Sequence, residues 1–343
     1  MNVNSRSKPN GKKKKRYPRN EALYNKIQEN EFPIVFACLP GAILAVLDRT
    51  DLGTKRGRKP KNLYDILTCL FVKKYLGFSL RRSMGMLRVF NYAGIIDVEI
   101  PCFKTLNNYL LKKEIRPYLQ KLMILTSDLF SSIERYMATD ATGIATNCYS
   151  SWYSIRIKRE SEKRDHLMVH ISVGTKSNVV AAIDIRTHKG EDNVIFRSHV
   201  KQVGERFDID EWSGDKMYLT RENCDAVVEI GATPWLKIKS NTISRAKGST
   251  SWKKMVQCFN EEPEVANQKY HRRSNVESTN SSKKRKCGSS VSSRLPTAQI
   301  NEELLSWVGY NFSLIPRAKY EFEIEPDFIA ATNSAFQWNL FYT

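Results

Sequence analysis

The sequence predicts an α/β fold in which an all-helical region precedes a domain built on a mixed β-sheet. Apolar residues recur at three- and four-residue spacing up to about residue 134, a period that indicates helices. The chain then changes to short, β-branched, partly alternating runs separated by polar turns, which indicate strands. Several strands in succession, followed by alternating strands and helices, is the order of an α/β domain with a mixed sheet.

The charge balance predicts a polyanionic partner. The 343 residues include 55 Lys and Arg against 36 Asp and Glu, a formal net charge of +19. Such an excess repels itself unless a polyanion such as nucleic acid offsets it. The seven cysteines are scattered without a C-x-x-C pair, which favours free thiols in a reducing cytoplasm over a disulfide scaffold or a structural zinc site. The most apolar stretch, residues 32–47, is interrupted by Pro33 and Pro40 and is too short to span a membrane.

The first part of the chain carries two basic segments. Residues 1–20 hold eight basic side chains and no acidic one, so we expect a disordered basic arm, with a solubility tail as the alternative. Within the helical region, residues 21–133, Arg56 and Arg58 flank a glycine in a short basic run. This run resembles an AT-hook, in which two guanidinium groups reach into a narrow minor groove. A basic linker is the alternative interpretation.

One predicted helix in this region has the side chains of a DNA reader. Residues 103–113 place their apolar members on one face, and Lys104, Asn107 and Asn108 lie on the polar face. Asn and Lys match the donors and acceptors at base edges in the major groove. The alternative is an ordinary helical bundle with a solvated face.

The domain that follows is assigned to residues 134–315, and residues 316–343 form a C-terminal tail to which the sequence assigns no role. Strand-like runs cover residues 136–139, 151–158, 167–174, 179–185, 209–214 and 235–238, and helix-like runs cover residues 221–230, 263–285 and 301–314.

Three carboxylates in this domain are candidate catalytic and metal-binding residues. Asp140 follows the first strand and opens a turn, Asp215 follows a later strand, and Glu277 lies in the predicted helix 263–285. Like charges converge only if a cation separates them, and hard ions such as Mg²⁺ or Mn²⁺ prefer carboxylate oxygens. Two such ions about 4 Å apart catalyse in-line phosphoryl transfer. Each aspartate alone also fits a turn or cap. Asp184 is the reserve candidate for the second ligand, with Asp192 and His188 as competitors.

The residues around Glu277 strengthen this interpretation. Tyr270, Arg273, Glu277 and Lys284 fall within about 60° of one another on an ideal helix. A face that packs on a core would be apolar, whereas these groups can hold a metal and clamp a phosphodiester. An exposed helix face with ion pairs is the alternative.

This pattern resembles the Y-R-E-K signature of the DDE transposases encoded by prokaryotic insertion sequences. The D-A-T-G run at residues 140–143 resembles their first-aspartate motif, and G-D-K-M-Y at residues 214–218 resembles their second. Spacing agrees roughly, with 75 residues from Asp140 to Asp215 and 62 more to Glu277. The resemblance covers about residues 134–315. It implies an RNase H-like fold, two catalytic Mg²⁺ ions (or Mn²⁺) on the three carboxylates, and contacts from Tyr270, Arg273 and Lys284 to the transposon-end DNA.

The resemblance also implies a function. Such enzymes hydrolyse a phosphodiester at the ends of the element and use the freed 3′-hydroxyl to attack target DNA. We therefore expect a metal-dependent transposase that binds double-stranded DNA, acts at least as a dimer on DNA, and is cytoplasmic and associated with the nucleoid. The alternatives are an RNase H-like nuclease that cuts without joining and a catalytically inactive DNA-binding protein derived from a transposase.

Overall fold

A computed structural model describes residues 20–47, 61–146, 166–187, 190, 192–326 and 328, and the structural statements below concern those residues. Several predictions lie outside them. These are the basic arm up to residue 19, the run with Arg56 and Arg58, the strand predicted at residues 151–158, His188, and most of the tail after residue 326.

The described residues of the N-terminal region form six helices, as the apolar spacing predicts. They are α1 (Glu21–Glu29), α2 (Glu31–Val46), α3 (Leu63–Tyr75), α4 (Leu80–Tyr92), α5 (Phe103–Leu110) and α6 (Arg116–Asp128). Helix α5 ends three residues earlier than expected. The reason is that Lys112 adopts an extended conformation, with φ −84° and ψ 134°, and a 3₁₀ turn at Lys113–Ile115 then leads into α6.

A five-stranded mixed sheet follows. Its strands are β1 (Tyr136–Ala145), β2 (His166–Gly174), β3 (Val180–Arg186), β4 (Glu211–Gly214) and β5 (Thr233–Leu236), in the spatial order β3-β2-β1-β4-β5. Strands β1, β2 and β3 pair antiparallel, whereas β4 and β5 run parallel to β1. The sheet and its surrounding helices make the domain an RNase H-like α/β fold.

In the described part of this domain, seven helices accompany the sheet. They are α7 (Asp192–Gly204), α8 (Arg221–Glu229), α9 (Thr250–Glu261), α10 (Pro263–Tyr270), α11 (Ser274–Cys287), α12 (Pro296–Phe312) and α13 (Ile315–Phe322). The sequence predicts none of α7, α9 and α13, the last of which lies almost wholly in the segment assigned as a C-terminal tail. Helix α7 nevertheless has the apolar spacing of a helix, with Ile195, Phe196, Val200 and Val203 buried.

Two elements differ from their predicted form. Strand β1 does not end before Asp140 but continues to Ala145, because the pairing with β2 runs on in register, with Asp140 opposite Ile171. Asp140 therefore lies within a strand and opens no turn. The helix predicted over residues 263–285 is divided, since a 3₁₀ turn at His271–Arg273 separates α10 from α11.

The two faces of the sheet contribute to different hydrophobic clusters. One face packs with α11, α12 and the N-terminal helices, so that the helical region and the sheet share one core. The other face packs with α7 to α10. Because successive side chains of a strand point to opposite faces, neighbours on β1 belong to different clusters.

No single helix in the described ranges is long and apolar enough to cross a membrane. Helices α1 and α2, bent by 49° at their junction, meet the length and composition criteria only as a pair. Most of the apolar residues of α2 are buried against other helices.

Candidate active site

The three predicted carboxylates converge at one end of the sheet. Strands β1 and β4 are parallel neighbours, and Thr139 of β1 pairs with Gly214 of β4. Asp140 directly follows Thr139 and Asp215 directly follows Gly214, so the two aspartates lie beside each other. Burial raises the pKa of Asp140, while Arg273 and the Ala141 N–H oppose that rise. The Asp215 and Glu277 carboxylates raise this pKa further by repelling the charged form of Asp140.

Arg273 lies at the centre of this group. Its Nη2 donates to Asp140 Oδ2 at 2.9 Å and its Nη1 donates to Glu277 Oε1 at 3.3 Å. The buried Nε of Arg273 has no hydrogen-bond partner in the described ranges. One guanidinium thus offsets part of the repulsion among three carboxylates.

The remaining members of the predicted face lie on either side of Arg273. Burial raises the pKa of the Tyr270 hydroxyl and the positive charge of Arg273 opposes that rise, and Lys237 Nζ lies 5.0 Å from the centre of the Tyr270 ring. At the other end, Lys284 Nζ donates to Thr142 Oγ1 at 3.0 Å. Thr142 points to the same face of β1 as Asp140, since the two are two residues apart. The structure therefore brings the three carboxylates together with Tyr270, Arg273 and Lys284.

Ion pairs to β4 hold the divided helix against the sheet. Glu211, the first residue of β4, accepts from Lys269 Nζ at 2.5 Å and also pairs with Arg272. The Arg272 guanidinium lies 3.7 Å from the centre of the Tyr136 ring. These contacts lie on both sides of Tyr270 in the chain, and they position Tyr270 and Arg273 beside Asp140 although the helix is interrupted there.

A buried polar chain that sequence reasoning did not find lies behind the carboxylates. Tyr218 Oη and His170 Nδ1 are 3.0 Å apart, and His170 Nε2 is 3.4 Å from Asp192 Oδ1. Burial raises the pKa of the Tyr218 hydroxyl, and the Asp140, Asp192 and Asp215 carboxylates raise it further. Tyr218 therefore carries its proton and can donate. The sequence singles out Tyr218 only as the last residue of the G-D-K-M-Y run, and this run does not indicate that Tyr218 contacts His170.

The reserve candidate for the second ligand is wrong. Asp184 of β3 lies opposite His170 of β2, which lies opposite Ala141 of β1. Asp184 therefore faces the other side of the sheet from Asp140, where it accepts from Arg186 Nε at 2.7 Å. Asp192 contacts His170 instead of the three carboxylates.

The predicted DNA-reading residues lie apart from the carboxylates, on α5. Lys104 and Asn108 are exposed and Asn107 is half-buried. All three line a cleft whose other wall is the beginning of α4, including Arg81. Arg56 and Arg58 belong to a segment outside the described ranges.

The donor set suits a hard divalent cation in its chemistry, because Asp140, Asp215 and Glu277 offer only carboxylate oxygens. Within the described residues, no three His, Cys, Asp or Glu side chains lie close enough to share one ion, and Arg273 lies between Asp140 and Glu277. The Glu277 side chain is 63% exposed, so a change of its rotamer meets little packing. The residues thus fit a divalent ion once Arg273 releases them.

Comparison with known proteins gives one family. A family model described as a transposase DDE domain matches residues 132–306, half of the chain. No curated protein matches. Among solved structures, a piggyBac transposase synaptic complex with hairpin DNA, determined by cryo-EM, is similar with a TM-score of 0.39 and 10% identity, over 90% of this chain and 78% of that chain.

Proposed function

The chain belongs to the transposase DDE-domain family, and from this premise we propose that it cleaves DNA at the ends of an insertion sequence and joins each freed 3′-hydroxyl to target DNA. The observation that carries the proposal is the convergence of Asp140, Asp215 and Glu277 around Arg273, at the ends of β1 and β4. We assign Asp140, Asp215 and Glu277 as the catalytic, metal-binding triad of the Y-R-E-K branch.

Divalent ions, Mg²⁺ with Mn²⁺ as an alternative, would activate the attacking oxygen and stabilise the leaving one when bound by the three carboxylates. The protein's own contribution is to hold these carboxylates at the end of a buried sheet, with Asp140 only 9% exposed. Arg273 keeps the group compact by offsetting its charge. When DNA arrives, the guanidinium exchanges carboxylate oxygens for phosphate oxygens, which it binds with the same two-pronged geometry.

The other candidates supply the DNA surface in this proposal. Tyr270 and Lys284 flank Arg273 and contact the strand near the cut, whereas Lys104, Asn107 and Asn108 on α5 contact the duplex farther away. The basic run with Arg56 and Arg58 adds phosphate contacts that do not depend on sequence. Both ends of an element must be joined, so we propose a dimer on DNA, located with the nucleoid in the cytoplasm.

A cleavage and joining assay with a matched control tests the proposal. The substrate is double-stranded DNA carrying the sequences that border the gene, incubated with and without Mg²⁺. We expect Asp140→Ala and Glu277→Ala to reduce cleavage and joining to the level seen without Mg²⁺, while binding to the ends is retained. Asp184→Ala is the control, because it removes a carboxylate from the other face of the same sheet and is expected to stay active.

The outcomes separate the alternatives. Mg²⁺-dependent cutting without joined product would indicate a nuclease instead of a transposase. Tight binding of folded protein without any Mg²⁺-dependent product would indicate an inactive DNA-binding protein. Equal loss of activity in Asp184→Ala and Asp140→Ala would contradict the assignment of the triad.

A further inference from the structure

Helices α3 and α4 form a helix–turn–helix. Only residues 76–79 connect them, and Gly77 adopts φ +71° directly after the end of α3. The Gly77 N–H donates to the Lys74 carbonyl at 3.1 Å, and the Phe78 N–H donates to the Lys73 carbonyl at 3.0 Å. These two bonds make a Schellman motif, which ends α3 and redirects the chain. In such a pair the second helix is the one that can enter the major groove.

Helix α4 has one face fixed in the protein and one face open. On the fixed face Ser83 and Leu87 are buried, and the Phe90 ring packs 5.4 Å from the ring of Phe36 on α2. The opposite face, called the α4 face below, is exposed and consists of Arg81, Arg82, Gly85, Arg88, Val89 and Tyr92. Its last member, Tyr92, is 97% exposed.

A glycine lies in the middle of the α4 face. Glycine within a helix lowers its stability relative to alanine, so an exposed mid-helix glycine needs a reason. Packing within the described structure does not require a glycine here, because a Cβ atom on Gly85 would meet no atom within 4 Å. The missing side chain instead allows another molecule to approach the helix backbone closely.

The charge of the α4 face identifies that molecule as a polyanion. Leu80–Tyr92 contains three arginines and no acidic residue. None of the three arginines forms an ion pair with a carboxylate in the described ranges. The Arg81 guanidinium lies 4.7 Å from the centre of the Phe103 ring on α5, and this contact directs it into the cleft shared with Lys104.

We propose that α4 is the recognition helix and lies in the major groove of the transposon-end duplex, with Gly85 at the closest approach. Arg81, Arg82 and Arg88 contact phosphates and guanine edges on either side of Gly85, and Val89 contacts a thymine methyl group. Helix α5 then lies beside the groove and contributes through Lys104. This assignment of α4 rests on the proposed function, from which it takes the transposon-end DNA as the partner.

Gly85→Ala tests the proposal, because its effects on folding and on binding have opposite signs. We expect a melting temperature about 2 °C higher, since alanine favours the helix. We also expect affinity for a labelled duplex of the bordering sequence to fall about tenfold, since the added methyl group holds the helix away from the DNA. Anisotropy titrations without Mg²⁺, in an Asp140→Ala background, measure binding independently of cleavage.

Paired variants supply the controls. Arg88→Ala is expected to lower the slope of log affinity against log salt by about 0.9, the value for one phosphate. Val89→Ala is expected to weaken binding to the bordering sequence more than to a scrambled duplex. Val228→Ala on α8 removes another exposed valine from a helix, and it is expected to change neither the salt slope nor the preference for the bordering sequence. Unchanged affinity and salt slope in Gly85→Ala and Arg88→Ala would overturn the proposal, as would a change confined to the protein's oligomeric state.

The result is separate from the test of the proposed function. If the wild-type protein binds its ends through the α4 face but never cuts them, transposition is refuted and the role of α4 stands. If Gly85→Ala binds, cuts and joins like the wild type, the role of α4 is refuted and transposition stands.

Discussion

Arg273 shows how a single residue can serve two states of the site. It donates to Asp140 and Glu277 in the structure, and in the proposed function these carboxylates bind metal instead. A DNA phosphate offers the same guanidinium a matching pair of oxygens. In that proposal, the cost of releasing the carboxylates is offset when substrate and metal bind together.

Substitution of Arg273 tests this exchange. Arg273→Ala is expected to weaken binding to the bordering duplex and to lower its salt slope by about 0.9, since one phosphate contact is lost. Arg273→Lys keeps the charge but not the two-pronged geometry, so it is expected to restore the slope with only part of the affinity. Binding titrations over a range of salt concentrations measure both. A salt slope that stays the same in Arg273→Ala would place this residue away from the DNA backbone.

For single residues, the sequence predicts contacts between side chains that are close along the chain. Arg273 and Glu277 are four residues apart, so helical spacing predicts their contact. The contact between His170 and Tyr218 joins residues 48 positions apart, and no local pattern predicts it. The reserve candidate Asp184 fails for the same reason, because the face of β3 on which it lies depends on the register of β3 with β2.

Among the elements, α12 carries buried charges that connect the catalytic helix to the N-terminal region. Glu302 is 3% exposed and lies 3.4 Å from Lys74 and 3.8 Å from Lys73, both on α3. The neighbouring Glu303 pairs with Lys283 of α11, one residue before Lys284. Buried pairs of this kind are costly to break, because the remaining charge has no partner.

Glu302→Gln is expected to lower the free energy of unfolding by about 3 kcal/mol near pH 7. Burial alone would raise the pKa of Glu302, but Lys74, Lys73 and hydrogen bonds from Ser293 lower it to about 2. Its stabilising charge is therefore present above the ordinary pKa of about 4.5 and is lost as the pH falls towards 2. The difference in the free energy of unfolding between wild type and Glu302→Gln should thus become about 2 kcal/mol smaller as the pH falls from 6 to 3.

Urea unfolding at several pH values measures that difference. The control is Glu229→Gln, an exposed position at the end of α8, which is expected to leave stability unchanged within about 0.5 kcal/mol. If the free energies of unfolding of wild type and Glu302→Gln differed by the same amount from pH 6 to pH 3, the charge of Glu302 would not be what stabilises the protein.

Element types could be predicted better than element ends. The N-terminal helices follow from apolar spacing, but β1 continues through Asp140 because β2 pairs with it, which is information from another segment. At the interruption between α10 and α11, the contacts of Lys269 and Arg272 with Glu211 of β4 likewise join segments far apart in the sequence. Tertiary partners decided these boundaries, not local propensity.

For the molecule as a whole, α12 in the core contacts both the N-terminal helices α3 and α5, the latter a proposed DNA-reading helix, and the helix that carries Glu277. The Phe312 ring packs 4.8 Å from the Phe71 ring of α3, and Asn301 Nδ2 donates to the Leu110 carbonyl of α5 at 2.9 Å. The same helix contacts α11, which carries Glu277. Helix α3, the proposed DNA-reading helix α5 and the helix of the proposed catalytic Glu277 therefore pack on the same helix.

This shared core predicts that residues 132–343 do not fold alone, although they contain the whole region matched by the family model. Without α2 and α3, apolar side chains on α12 such as Phe312 face water, and Glu302 loses both lysine partners. We expect the fragment to lack a cooperative urea transition, whereas we expect a sigmoidal transition for the full chain, in which the N-terminal helices and the sheet share a hydrophobic cluster. Near-UV circular dichroism and urea titration of both chains measure this. A soluble fragment with a sigmoidal transition would show that the sheet with α7 to α13 is an independent folding unit, and that the N-terminal helices only dock on it.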